Sequence, residues 1–195
     1  MTHAAAIAPR TSLGLDNRKM AFWAFIGSEC LLFGSLISTY LVYKGRSVVG
    51  PYPHDILNIP FTSISTFDLL MSSLTMVLAL AAVQRADMRW GKLWLFATAL
   101  LGLVFLGGQV IEFTEFVHKG LTIGTNLFGC TFFVLTGTHG AHVAVGVVWL
   151  LTLGARALQG KLGPANAMTV EIMGLYWHFV DVVWIVIFTV VYLIQ

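Results

Sequence analysis

Five long apolar segments constrain the fold of this chain more than any other feature of its sequence. They cover residues 20–43, 65–84, 91–117, 127–155 and 168–194. Each approaches or exceeds the ~20 residues that an α-helix needs to cross a bilayer. Only 10% of all residues are charged, against about 25% in a soluble domain, and no alternating pattern of barrel strands is present. The sequence therefore predicts an all-α integral membrane protein, a bundle of five transmembrane helices.

The distribution of Lys and Arg predicts the orientation of this bundle. With the N-terminus inside, the inner side carries Arg10, Arg18, Lys19, Arg85, Arg89, Lys92, Arg156 and Lys161. The outer side then carries only Lys44, Arg46 and Lys119. Because basic residues favour the cytoplasmic side, we expect the N-terminus inside and the C-terminus outside. Residues 1–19 would form a cytoplasmic segment and residues 20–195 the five-helix domain. A net charge of +2 gives no sign of a nucleic-acid partner.

The fifth segment carries ionisable residues on one face. At about 100° per residue, Glu171, His178 and Asp181 fall on the same side of a helix. A charged group at the centre of a bilayer costs about 3 kcal/mol or more. We therefore expect this face to point into protein.

The first segment also contains an acid, Glu29. Small residues form one face of this helix: Ala24, Gly27, Ser28, Gly34, Ser35 and Ser38. Such faces allow close packing between transmembrane helices. Glu29 lies on the opposite side, among aromatic and apolar residues. Two interpretations remain open: a structural carboxyl bonded to a carbonyl or partner helix, or a functional carboxyl beside a lipid-filled cleft or proton path.

The third and fourth segments add Gln109, Glu112, His139 and His142. Together with Glu171, His178 and Asp181, these residues predict an intramembrane polar network that joins the last three helices. We expect each histidine in it to bond acids, carbonyls or hydroxyls of neighbouring helices, and no metal to be bound. Two other classes of function are compatible with these residues. One is an independent transporter or proton channel that uses the intramembrane acids, and the other is a membrane metalloenzyme that uses the histidines.

Four stretches of the sequence resemble one known family. They are GSECLLF at 27–33, GQVIEF at 108–113, FFVLTGTHGAH at 132–142 and YWHFVDVVW at 176–184. In combination they are similar to subunit III of the haem–copper oxidases, in its five-helix bacterial form. The resemblance covers nearly the whole chain after about residue 20. Longer members of the family have two further N-terminal helices.

The resemblance implies a non-catalytic subunit of a respiratory oxidase in a bacterial inner membrane. Subunit III packs on subunit I, which reduces oxygen to water and pumps protons, and haem and copper belong to such partner subunits. Family members bind phospholipid in a cleft, sustain activity and lie near a proton-uptake pathway. Glu29 matches a family glutamate that reacts with hydrophobic carbodiimides. Both cytochrome c oxidases and quinol oxidases remain open, because the electron donor binds other subunits.

Overall fold

The structure, a computed structural model, describes residues 16–194, except for the side chain of Asp55. Its α-helices are α1 (Asn17–Tyr43), α2 (Pro53–Ile56), α3 (Ile59–Gln84), α4 (Met88–His118), α5 (Leu127–Leu158) and α6 (Ala167–Phe188). A 3₁₀ turn precedes α6, and a π-helical turn, Thr189–Leu193, continues it. Five of these helices are long and apolar enough to cross a membrane, which confirms the predicted all-α membrane bundle. Arg10 and most of the predicted cytoplasmic segment lie outside the described residues.

Polar side chains fix where the membrane helices begin. The Asn58 side chain accepts a hydrogen bond from the Phe61 backbone N at 3.2 Å, and α3 therefore begins at Ile59. The predicted start at residue 65 is wrong, because the helix also includes residues 59–64. Pro60 lies in its first turn and does not interrupt it. In the first turn of a helix the missing proline N–H has no intrahelical partner to lose. Asn126 caps α5 in the same way, through the Gly129 backbone N at 2.7 Å.

Trp177 lies at the centre of the bundle formed by α3, α4, α5 and α6. Its ring is fully buried, and its Nε1 donates to Ser72 Oγ on α3 at 2.8 Å. A Cβ added at Gly102 of α4 or at Gly146 of α5 would lie 2.7 Å from this ring. Glycine at both positions therefore lets the two helices approach the indole closely, as small residues do in membrane proteins.

Helix α1 lies at the edge of this bundle. Ile26, Phe33 and Tyr40 are its buried residues, spaced seven apart. Only 11% of its most apolar window is buried, against 33% to 50% for the other four membrane helices. All six residues of the small-residue face are exposed. Helix α1 thus contacts the bundle along one narrow stripe, and the rest of its surface is free of contacts with the other helices that the structure describes.

Candidate functional site

Glu29 of α1 and His142 of α5 form a polar contact between two helices. Oε2 of Glu29 lies 3.1 Å from Nε2 of His142. The other ring nitrogen, Nδ1, is 2.8 Å from the carbonyl oxygen of Thr138. Because a carbonyl only accepts, Nδ1 carries a proton. Nε2 therefore either accepts from a protonated Glu29 or belongs to an imidazolium that donates to a carboxylate. In both states one proton is shared between the two side chains.

This pair lines an open groove between α1, α5 and α6. The groove has a volume of about 490 Å³ and is lined by Phe22, Phe25, Glu29, Ala141, His142, Val145, Trp149 and Tyr176. The Phe22 ring packs edge-on against Trp149 and Tyr176, with centroids 6.2 and 6.5 Å away. The Tyr176 hydroxyl donates to the His142 carbonyl oxygen at 3.0 Å. Aromatic walls thus surround one carboxyl group and one imidazole.

Two features of the structure bear on the interpretations of Glu29. Its carboxyl is bonded to a neighbouring helix through His142. It also borders an apolar groove that is open at the surface, and a lipid-filled cleft or proton path at this position stays a prediction. Helical periodicity placed Glu29 on an aromatic face, but it could not identify His142 as the partner, because periodicity carries no information on contacts between helices.

Gln109 and Glu112 find their partners on neighbouring helices. Gln109 Nε2 donates to the Thr136 carbonyl oxygen at 2.8 Å. Thr62 Oγ1 of α3 donates to Glu112 Oε1 at 2.8 Å. Both side chains are buried. Sequence reasoning missed both partners. For Thr62 the available signal was a hydroxyl residue within an apolar helix, which commonly bonds only its own backbone. Thr136 contributes its backbone carbonyl, which no residue type signals.

The three ionisable residues of α6 have different surroundings. Glu171 pairs with Lys19 of α1 at 2.5 Å, and His178 Nδ1 lies 2.6 Å from Ser73 Oγ of α3. Both residues are half-buried. Asp181 is only 3% exposed, and among the described residues neither of its carboxyl oxygens has a hydrogen-bond partner. Asp181 is therefore the one member of this face that points fully into the bundle.

His139 of α5 is surrounded by aromatic rings. It is fully buried, stacked on Trp184 at 4.9 Å and approached edge-on by Phe105 at 5.9 Å and Phe33 at 6.5 Å. Within residues 16–194 neither ring nitrogen has a hydrogen-bond partner. The prediction that every histidine is hydrogen-bonded is wrong at His139, because its neighbours offer ring faces and edges in place of oxygen atoms.

The predicted polar network is distributed over separate contacts. Glu29 and His142 are the only two predicted site residues that bond each other in the described part of the chain. Of the others, Glu171 pairs with Lys19, Glu112 bonds Thr62, His178 bonds Ser73 and Gln109 bonds a backbone carbonyl. His139 and Asp181 have no hydrogen-bond partner among the described residues. No group of three or more His, Cys, Asp or Glu side chains in residues 16–194 has the arrangement of a metal site. Each of these polar contacts joins one pair of helices, and the contacts lie at different depths in the bundle.

Comparisons with known proteins agree with this architecture. A family model described as Cytochrome c oxidase subunit III matches residues 11–195. The chain is similar to cytochrome c oxidase subunit 3 of Bacillus sp. (strain PS3), with 43% identity over 98% of this chain and 93% of the relative. It is also similar to quinol oxidase subunit 3 of Bacillus spizizenii, with 40% identity over 89% of this chain and 85% of the relative.

Proposed function

Because the chain belongs to the cytochrome c oxidase subunit III family, we propose that it acts as the non-catalytic subunit III of a haem–copper terminal oxidase. It is a multi-pass protein of a bacterial membrane. In this role it packs on the catalytic subunit I, which reduces oxygen to water and pumps protons. It holds lipid beside that subunit, and it sustains activity and proton uptake over many turnovers.

The exposed face of α1 is the observation that carries this proposal. Its small residues are exposed in the described part of the chain, and a Cβ added at Gly27 or at Gly34 would meet no other described helix within 4 Å. In lipid, small residues stabilise a helix mainly where another helix approaches closely. This face therefore supports a partner helix from another subunit, and subunit I is the partner that the family role requires.

The Glu29–His142 groove supports the lipid-binding part of the proposal. Its walls are aromatic and aliphatic, which suits an acyl chain better than a polar solute. The one shared proton of Glu29 and His142 makes the pair neutral overall in either protonation state. Such a pair can lie against lipid at a lower desolvation cost than an unpaired carboxylate.

Haem and copper are proposed to reside in partner subunits. The three histidines of the predicted network make different contacts: His142 bonds Glu29, His178 bonds Ser73, and His139 is enclosed by aromatic rings. A redox metal needs several such donors around one point. Elemental analysis of the separated subunit should therefore find far less than one iron or copper per chain, and a stoichiometric metal would overturn this part of the proposal.

Cytochrome c is the proposed electron donor of the complex, with quinol as the alternative. The relative of strain PS3 is named as a cytochrome c oxidase subunit and that of Bacillus spizizenii as a quinol oxidase subunit. Their identities to this chain, 43% and 40%, differ little. Oxygen consumption by the purified complex with each reduced donor would separate the two.

Purification of the native complex through a tag on this chain tests the proposal. We expect a haem-containing chain and oxygen consumption to co-purify. Gly34→Phe places a large ring on the free face of α1 and should reduce recovery of the haem-containing chain at least tenfold. Val110→Phe is the matched control, since Val110 is exposed on α4 at 65%. A haem-free preparation that transports ions alone would contradict the assignment.

A further inference from the structure

A second groove, which shares no residue with the Glu29–His142 groove, lies at the end of the bundle where α4 begins. It has a volume of about 590 Å³ and is lined by Arg89, Trp90, Lys92, Leu93 and Phe96. All five belong to the first three turns of α4. Two cations, one indole and two apolar side chains therefore share one open surface.

The cations of this groove have no anionic partner within the described chain. Neither Arg89 nor Lys92 takes part in an ion pair there. The nearest acid in sequence, Asp87, accepts a hydrogen bond from the Trp90 backbone N at 3.4 Å and so caps the helix. The groove consequently carries two positive charges that the described residues do not neutralise.

Below the cations the surface becomes apolar along α4. Leu93 is 53% exposed, Phe96 36% and Leu100 61%, and their spacing places them on one side of the helix. Phe96 is held in place from behind, since a Cβ at Gly154 of α5 would lie 2.9 Å from its ring. The charged part of the groove thus leads into a fixed apolar surface at membrane depth.

We propose that this groove binds one anionic phospholipid, with its phosphate between Arg89 and Lys92 and an acyl chain along Leu93 and Phe96. Arg89 and Lys92 are opposite in charge to the phosphate, and Trp90 occupies the interfacial level at which indole rings are enriched. Basic clusters beside membrane helices attract anionic lipids. A free phosphate would leave the apolar part of the groove unused, which favours a lipid as the occupant.

This site differs from the groove at Glu29 in both place and chemistry. The Glu29 groove contains no Lys or Arg and lies between α1, α5 and α6. The α4 groove contains no acid. The proposal therefore does not depend on the function of Glu29, and it can be tested on the same complex by a position-specific readout.

The experiment uses the intact complex in vesicles that contain a photoreactive phosphatidylglycerol. We expect the label on α4, within residues 90–100, and weaker labelling there from a photoreactive phosphatidylcholine. Arg89→Gln with Lys92→Gln should lower the α4 label at least fivefold, since each cation near a membrane surface contributes about fivefold in lipid affinity. Each single variant is measured too, so that the comparison does not depend on assembly of the double variant.

Arg156→Gln with Lys161→Gln is the matched control. It removes two exposed cations at the same end of the bundle, outside the α4 groove, and should leave the α4 label unchanged. An equal loss of the α4 label in this control would mean that the label depends on general surface charge, and it would contradict the proposed site. Equal labelling of α4 by the two lipids would also contradict the proposed site. So would a photoreactive residue at position 93, in place of Leu93, that cross-links to another subunit and not to lipid.

Discussion

Nε2 of His142 lies 3.1 Å from Oε2 of Glu29, close to the midpoints of α5 and α1. This contact joins the peripheral helix to the bundle between Ile26 and Phe33, two of the three buried residues of α1. Removal of either partner would leave a polar atom without a bond in a largely apolar groove. Such a loss costs about 1–3 kcal/mol. The pair therefore stabilises the packing of α1 against α5, and it is also the part of the groove that carries the shared proton.

Substitutions of Glu29 should separate these two roles. Glu29→Gln keeps the shape and can still donate to Nε2 of His142, so initial oxygen consumption should stay within about twofold, roughly 0.4 kcal/mol in barrier. Glu29→Ala leaves Nε2 unpaired and should shorten the working life of the complex. The measurement is oxygen uptake over repeated turnovers. A more than tenfold loss of initial rate in Glu29→Gln, with haem content normal, would identify an obligatory proton carrier.

Carbodiimide should react with Glu29 before it reacts with Glu112, Glu171 or Asp181. Its carboxyl borders an open groove, whereas Glu112 and Asp181 are 5% and 3% exposed and Glu171 is paired with Lys19. A hydrophobic carbodiimide should therefore modify Glu29 first, as peptide mass mapping would detect. Glu29→Gln is the control and should remove the early adduct. Earlier modification of Glu112 would mean that the groove is closed in the native membrane.

Two glycines of α5 provide a matched test of helix packing. A Cβ at Gly146 would lie 2.7 Å from the Trp177 ring, whereas one at Gly137 would meet nothing within 4 Å. Gly146→Ala should destabilise the bundle by about 1–3 kcal/mol through overpacking. Gly137→Ala should be neutral or slightly stabilising within this chain. Thermal unfolding of the complex checks both, and equal midpoints for the two variants would contradict the central position of Trp177.

Two histidines of α5 should respond differently to the same substitution. His139→Phe keeps an aromatic ring among Phe33, Phe105 and Trp184 and removes no hydrogen bond of the described chain. It should preserve assembly and activity. His142→Phe leaves Glu29 without its partner and should lower the yield of complex severalfold. If His139→Phe proved the more damaging of the two, an unseen polar partner of His139 would be required.

The orientation of the bundle is tested with reporter fusions. The distribution of Lys and Arg predicts an external reporter both after Gln195 and within residues 45–58, since α1 and α6 end on the same side of a five-helix bundle. Fusions within residues 85–87 should report from the cytoplasm and serve as the internal control. A cytoplasmic signal from the C-terminal fusion would reverse the proposed topology.

The sequence alone determined the fold class, the number of membrane helices and the faces on which polar residues lie. These follow from properties that act along the chain: segment length against bilayer thickness and the periodicity of a helix. Periodicity also separated the small-residue face of α1 from the face of Glu29. The start of α3 was missed because proline is generally associated with loops. Here Asn58 caps the helix and Pro60 lies in its first turn, where proline is well tolerated.

Tertiary structure alone decided which residues meet. Glu29 contacts His142, Thr62 contacts Glu112, and Ser73 contacts His178, each across two helices. Such pairs depend on the rotation, depth and separation of packed helices, which close contacts such as those of Gly102 and Gly146 with Trp177 help to determine. No periodicity within one segment contains that information. The aromatic enclosure of His139 has the same origin: its three rings come from α1, α4 and α6.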